Sequence, residues 1–371
     1  MSKIAAIFFC GALVWLAGCA TSPNESLPPD WSATNEVQAA ENPPPPVPAP
    51  PVMRANPPPV MVATNPPPAT NQVQPRPAPN LTWTPLNRWA AQHKIGPAHL
   101  VAQSPLVCYA ISSDKGTLLL AIGSREATWN GVTLHLGYAP EMIDGEVCVH
   151  GLDLQKNLAP FLCDPPLAFG TNRVIVIDPG HGGLNAGTIS VTDHRPEKEF
   201  TLDWALRLRP LLEQEGWQVF LTRTNDVDIA ISNRVTVAEY RRADLFISLH
   251  FNSISPDTRP GGLATFCLTP VGMPSTITRG YPDVLFQHFP NNHYDTENVQ
   301  LAERLQRALL HATGLEDRGV QRARFIGVLR GQHRPAVLIE AGFLSNPHEA
   351  RRIADPEFRQ KLAEAVAGAL K

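Results

Sequence analysis

The chain of 371 residues is short of cysteine and of net charge. Its six cysteines include no C-x-x-C pair, so a cysteine-built zinc cluster is not indicated. The 31 Lys and Arg set against 34 Asp and Glu leave a formal charge of −3. No basic block stands out, which argues against nucleic acid as a partner. No internal repeat is visible. The opening apolar run, residues 4–16, is too short to be a comfortable permanent membrane span, which needs about 20 residues. Proline is the exception to this scarcity. There are 38, too many for an ordinary globular domain, and most fall before Asn80.

Met1, Ser2 and Lys3 ahead of the short apolar run read as a secretory signal over residues 1–18. The run ends in Leu16-Ala17-Gly18-Cys19, which resembles the bacterial lipoprotein box. That resemblance implies acylation of the Cys19 thiol and anchoring to a membrane through buried acyl chains, at about 0.8 kcal/mol per CH₂. A plain signal peptide with an incidental cysteine is the competing reading. Residues 19–80, rich in Pro, Ala, Asn and Val, are expected to form an extended spacer, partly polyproline II. At about 3.1 Å per residue such a tether would reach on the order of 150 Å. Export implies a disulfide-permissive compartment. Cys108, Cys148, Cys163 and Cys267 would remain in the mature chain, either with one bridge among the first three or as buried free thiols.

Residues 81–164 read as a small antiparallel β-rich unit. Apolar runs at 106–111, 117–122, 131–136 and 146–150 are separated by turn residues such as Asn130-Gly131 and Asp144-Gly145. The unit loosely resembles the stalk-like domain named after the copper amine oxidase N-terminus, and either a spacer or a wall-binding module fits it. From residue 171 to 371 strands alternate with helices. Strands are expected at 173–177, 217–222, 245–249, 325–329 and 336–339. Helices are expected at 199–215, from an N-cap at Ser232 through Arg242, at 299–313 and at 357–370. This alternation predicts a three-layer α/β/α domain with a largely parallel sheet.

In such sheets the chemistry collects beyond the carboxyl ends of the strands. Three strands run directly into polar groups: Asp178-Pro179-Gly180-His181-Gly182-Gly183, His250-Phe251-Asn252-Ser253 and Glu340-Ala341-Gly342-Phe343. With Leu221-Thr222-Arg223, residues 234–244 and Gly342-Phe343-Leu344-Ser345-Asn346, these segments resemble the zinc amidase family Amidase_3, the cell-wall N-acetylmuramoyl-L-alanine amidases. The resemblance covers residues 173–370. It implies one zinc per catalytic domain, held by His181, Glu197 and His250, a set of two imidazoles and one carboxylate suited to a catalytic rather than a structural ion. Glu199 competes with Glu197 for the ligand role, and the family's Glu-Lys pair selects Glu197-Lys198. The family's catalytic glutamate falls on Glu340.

Taken singly, each of these residues has a plainer role: a hydrogen-bonded histidine, a helix-start glutamate, a salt-bridge partner or an exposed arginine. Asp178 is expected either to orient His181 or its loop, or to cap a turn. Asn252 is expected to bind substrate or to hold its own loop, and Arg234 to serve the substrate or the ligands. Many relatives carry an acidic residue where Asn185 stands, a departure expected to touch only loop hydrogen bonds. Residues 269–295 form a long insertion rich in Pro, Asn and His, expected to wall or cover a groove. His288 and His293 within it are not assigned to the metal.

The reaction implied is hydrolysis of the amide between the lactyl group of N-acetylmuramic acid and L-alanine in peptidoglycan. Glu340 would take a proton from water and pass it to the leaving amine. Two other readings stay open: a zinc peptidase acting within the stem peptide, and a catalytically silent wall-binding lipoprotein. The expected location is the cell envelope, exported and membrane-anchored, with a protein activator left unassigned.

Overall fold

The computed structural model describes residues 83–280 and 283–371. The signal, Cys19 and the Pro-rich tract lie outside the described residues. The described chain opens with β1 (Trp83–Pro85) and α1 (Leu86–Gln92). Then come β2 (His99–Ala102), β3 (Cys108–Ser113), β4 (Gly116–Ala121), β5 (Glu126–Trp129), β6 (Val132–His135), β7 (Glu141–Ile143) and β8 (Glu146–His150). The short helices α2 (Gly151–Asp153) and α3 (Ala159–Leu162) flank a π-helical turn over Leu154–Leu158. The rest alternates: β9 (Val174–Pro179), α4 (Glu197–Gln214), β10 (Gln218–Leu221), α5 (Ile231–Tyr240), β11 (Leu245–Asn252) and β12 (Leu263–Cys267). It closes with α6 (Asp295–Thr313), β13 (Asp317–Arg322), α7 (Gly327–Arg330), β14 (Ala336–Phe343), α8 (Pro347–Ala354) and α9 (Pro356–Ala369).

The large sheet has the order β10-β9-β11-β14-β12-β13-β6-β5-β4-β3-β2. From β10 to β14 the strands are parallel, and β12 reverses before pairing parallel with β13. The β-rich part joins this sheet through β6, where Leu134 pairs with Val320. Its own strands from β2 to β6 are antiparallel, as hairpins require, with Asn130-Gly131 making a two-residue turn. A separate three-stranded sheet holds β1, β8 and β7.

Alternation along the central strands sorts their side chains onto two faces. Ile175, Ile177, Ile247, Leu249, Val337 and Ile339 join a large core packed by α4, α6 and α9. Val174, Val176, Phe246, Ala336 and Leu338 join a smaller core under α5 and α7. Continuing the same parity, Asp178, His250 and Glu340 belong to the face of the smaller core. The face opposite them is anchored by aromatics. Phe251 packs against Phe200 and Trp204 of α4, with ring centroids 6.3 and 5.6 Å away. Truncating such a ring typically costs about 3–5 kcal/mol.

Some local expectations fail. Residues 325–329 are not a strand. Part of that apolar run is the helical turn α7, and the strand in that region is the polar segment Asp317–Arg322. A short apolar run cannot separate strand from buried helix by periodicity. Segment 317–322 escapes pattern reading because its polar side chains are partly or fully buried and bonded: Asp317 Oδ1 accepts from Gln306 Nε2 at 2.7 Å, and Arg322 Nη2 donates to Asn157 Oδ1 at 2.9 Å. Ser232 is not an N-cap. It lies within α5, which starts at Ile231 without a capping side chain. α6 starts at Asp295, one turn earlier than expected, and ends as expected at Gly314 in the left-handed region. Cys108, Cys148, Cys163 and Cys267 are all free thiols.

Candidate metal centre

Three strand or helix ends deliver the polar groups. β9 ends at Pro179, and the chain turns at once into Gly180 and His181. Gly180 is required there, because a Cβ on it would meet the His250 ring at 2.2–2.6 Å. His181 itself adopts φ +62°, a conformation that costs a side-chain-bearing residue about 1–2 kcal/mol. Arg234 Nη2 holds this turn by donating to the His181 carbonyl at 2.7 Å. The loop then returns through Gly187, at φ +70°, where a Cβ would strike Glu197 and His181 at 2.6–2.7 Å.

Glu197 is the first residue of α4, where the helix N-terminus favours a carboxylate. It sits between the two histidines. Oε2 lies 3.0 Å from His181 Nε2, and Oε1 lies 3.0 Å from His250 Nδ1. The backbone N–H groups of Thr188 and Phe251 also donate to it, at 3.1 and 3.0 Å. The two imidazole rings are 4.8 Å apart and nearly perpendicular. Glu199, the competing candidate, is turned outward onto Arg195 Nε at 2.8 Å. The structure thus brings His181, Glu197 and His250 together and leaves Glu199 aside.

Their ligand atoms all lie within 4.8 Å of one another. Two imidazole nitrogens and a carboxylate oxygen so grouped suit a single small divalent ion such as zinc, which takes them at about 2.0–2.2 Å. Asn185 contributes more than loop bonding. Its Oδ1 is 2.8 Å from His181 Nδ1, and a proton on that nitrogen leaves Nε2 as the ligand atom. Among the described residues, His288 and His293 belong to no metal-ligating group; their rings stack edge-to-face at 6.1 Å.

Glu340 is in register with His250 on the neighbouring strand, so the two side chains share a face. It is buried, and its Oε2 has no hydrogen-bond partner among the described residues. Burial, joined by the charge of Glu197, pushes its carboxyl well above the ordinary range, with the Arg279 guanidinium opposing. For Glu197, burial acts upward but His181 and His250 outweigh it and hold the carboxyl far below its ordinary value. Burial depresses His250, which keeps its imidazole neutral as a metal ligand requires. His181 is also depressed by burial, but its contacts with Glu197 carry it above the ordinary value.

Asp178 does not touch His181. It accepts from Thr222 Oγ1 at 2.6 Å, Ser248 Oγ at 2.7 Å and Arg234 Nη1 at 2.7 Å, and it reaches the histidine only through that arginine. Arg234 is therefore a buried brace, bonded to Ile229, Pro179 and His181 carbonyls as well. Asn252 accepts from Ser253 N at 2.7 Å, holding its own loop. Sequence reading missed Arg223 as a functional support. Its guanidinium binds the Pro179, Gly180 and Lys198 carbonyls at 3.0, 2.8 and 2.7 Å, tying the His181 turn to the start of α4. Burial, aided by neighbouring Arg234, lowers its pKa to about 10. The signal was a charged residue directly after an apolar strand, in Leu221-Thr222-Arg223.

Comparison with known proteins adds independent findings. The chain is 32% identical over 243 residues to N-acetylmuramoyl-L-alanine amidase AmiC of Escherichia coli O6:H1, covering 59% of this chain and 58% of that protein. It is 30% identical over 219 residues to amidase AmiA of Escherichia coli K12, covering 53% of this chain and 75% of that one. Among solved structures, the catalytic domain of CwlV, an N-acetylmuramoyl-L-alanine amidase from Bacillus (Paenibacillus) polymyxa var. colistinus, aligns with a TM-score of 0.44 and 30% identity. That match covers 53% of this chain and 96% of the domain. The family model described as N-acetylmuramoyl-L-alanine amidase matches residues 175–371, the stretch that carries every residue of the His-Glu-His cluster and Glu340, and the chain belongs to that family, Amidase_3.

Proposed function

We propose that the chain is a zinc-dependent N-acetylmuramoyl-L-alanine amidase of the cell envelope. The observation that supports this best is the buried His181-Glu197-His250 cluster with Glu340 in register beside it on the adjoining strand. Zinc, when bound, would supply Lewis acidity toward the amide carbonyl and the attacking water. His181, Glu197 and His250 would hold it. Arg223 and Arg234 keep the His181 turn fixed to α4 and β9, so that the ligands need little rearrangement.

Glu340 performs the proton work. Its buried Oε2 has spare hydrogen-bonding capacity. The carboxylate takes a proton from the attacking water and delivers it to the amine of L-alanine as the bond to the lactyl carbonyl breaks. The products are a glycan freed of its stem and a stem peptide with a free amino terminus. Cys19, acylated, anchors the chain, and residues 19–80 carry the catalytic part away from the membrane toward the wall. Among the described residues no helix is long and apolar enough to cross a membrane.

Mass analysis of what the full chain releases from whole sacculi tests the reading. Stem peptides with a free L-alanine terminus are expected. Fragments cut within the stem, or none at all, would overturn it. Labelled fatty acid should enter the wild-type chain and not Cys19→Ser, and its absence from the wild type removes the anchor.

A further inference from the structure

Part of the insertion, residues 270–276, is gripped from two sides. The β-rich part supplies one side. Tyr138 Oη donates to the Gly272 carbonyl at 3.1 Å. Arg125 Nη2 reaches the Pro274 and Ser275 carbonyls at 3.4 and 3.3 Å. Met273 is fully buried against Gly137, where an added Cβ would meet Met273 Cγ at 2.4 Å. The catalytic part supplies the other side. Thr276 N donates to the Arg322 carbonyl at 2.8 Å, and Arg324 Nη2 donates to the Pro270 and Met273 carbonyls at 2.8 and 2.7 Å. Three residues past Thr276, the Arg279 guanidinium lies 4.6 Å from the Phe325 ring centroid. Phe325 packs on the smaller core, the sheet face that also carries Glu340.

Among the described residues the loop carbonyls at 270 and 272–275 have no strand partner, so side-chain donors do the work that a ladder would do. The geometry points to the β-rich part as a positioning element of the enzyme. Arg125 and Tyr138 hold residues 272–275, and the segment that follows stands as a fixed wall carrying Arg279 over Phe325, on the Glu340 face of the sheet. The inference rests on the amidase reading for what the groove binds. A guanidinium at that wall suits a stem peptide bearing free carboxylates. A wall held in place spares the substrate the cost of ordering it, so loosening it acts on ground-state binding. Arg125 and Tyr138 are positioning residues, acting on substrate only through this wall.

The full chain decides the matter. Tyr138→Phe removes one donor but keeps the ring that packs 4.0 Å from His150, so the unit should stay folded. Arg125→Ala removes the second grip, along with the bond from Nε to the Leu136 carbonyl at 2.8 Å inside the unit. Amide hydrogen exchange over residues 270–280 should rise about fivefold in Tyr138→Phe, the worth of one net hydrogen bond, and further in the double variant. Exchange around His181 and zinc content should not change. On a soluble peptidoglycan polymer, KM should rise about three- to tenfold with kcat within about twofold, and Arg279→Gln should raise KM likewise. Unchanged exchange in Tyr138→Phe overturns the hold. Faster exchange with unchanged KM overturns the substrate wall. A wild-type chain that releases no stem peptide sinks the amidase reading instead, while the exchange result still decides whether the β-rich part holds the loop.

Discussion

The two faces of the central sheet are built for different work. On one, α4, α6 and α9 bury Trp204, Phe200, Leu208, Leu362 and the odd-numbered residues of β9 and β11 in a large apolar core. On the other, α5 and the short α7 cover a smaller core, and toward the carboxyl ends of the strands its apolar residues give way to Asp178, Ser248, His250 and Glu340. These polar groups are as buried as their apolar counterparts. The difference lies in how burial is compensated, by area removed from water on one face and by charge-assisted hydrogen bonds to Asp178 and His250 on the other, with Glu340 Oε2 left unpartnered among the described residues. A site placed on the second face inherits the rigidity of the first, because each strand and α4 contributes to both.

The sharpest way to break this comparison is His250→Ala. It removes a proposed ligand while Phe251, next in sequence, still packs on the opposite face. Zinc and activity should vanish together, with turnover down by more than about 10⁴-fold, beyond the usual range for losing one acid-base group. Elemental analysis paired with stem-peptide release measures it. Full activity in a chelated, metal-free preparation would refute the ligand assignment.

Glu340→Gln comes next. Zinc and fold should survive while kcat falls about 10²–10⁴-fold, because the amide keeps the shape but cannot accept the proton. Loss of zinc along with activity would make Glu340 a ligand or a support. Activity retained within a few-fold would move the proton work to another group such as Glu199.

The opposite face gives the converse result. Leu208→Ala on α4 should lower unfolding stability by about 2–5 kcal/mol, read from urea titration, with zinc stoichiometry and kcat near wild type. A large kcat loss would show that the two faces are not separable in this way.

The smallest effect probes the polar face through pH. Thr222→Val deletes one bond to the Asp178 carboxylate and should cost about 1.5–3 kcal/mol near neutral pH. Burial alone would raise Asp178, yet Arg234, Thr222 and Ser248 hold it below its ordinary value. A depressed carboxylate contributes stability that is full above its unfolded pKa, about 3.9, and is lost as pH falls through the folded value. The Thr222→Val penalty should therefore be constant from neutral pH down to that range and shrink below it. A penalty independent of pH in acid would mean that Thr222 serves packing, not the carboxylate.

The apolar side of this molecule was legible in its sequence, and so was much of the site. Residues 174–177 and 245–249 read as buried strands because parallel strands covered on both faces must be continuously apolar. Polar groups directly after such runs pointed to His181, His250 and Glu340, and the family's motif order pointed to Glu197. What stayed hidden depended on partners distant in sequence. Segment 317–322 looks like a loop until Gln306 and Asn157 satisfy its Asp317 and Arg322. Asn185 looked like a loop residue until the turn at His181 brought it within 2.8 Å of the ring. Arg234 could pass for an exposed helix residue, and Arg223 carried no assigned role, until the fold buried both against main-chain carbonyls.

Sequence by itself determined which residues could bury themselves, where strands turn into chemistry, and which side chains could ligate a metal, because periodicity and residue type are local properties. Tertiary structure alone decided that Asp178 serves Arg234 rather than His181, that Asn185 meets the His181 ring, and that the β-rich part continues the central sheet and grips residues 272–275. The physical reason is the same in each case. A buried polar group must find its partner wherever the fold brings one, and that pairing is a relation between segments far apart in the chain.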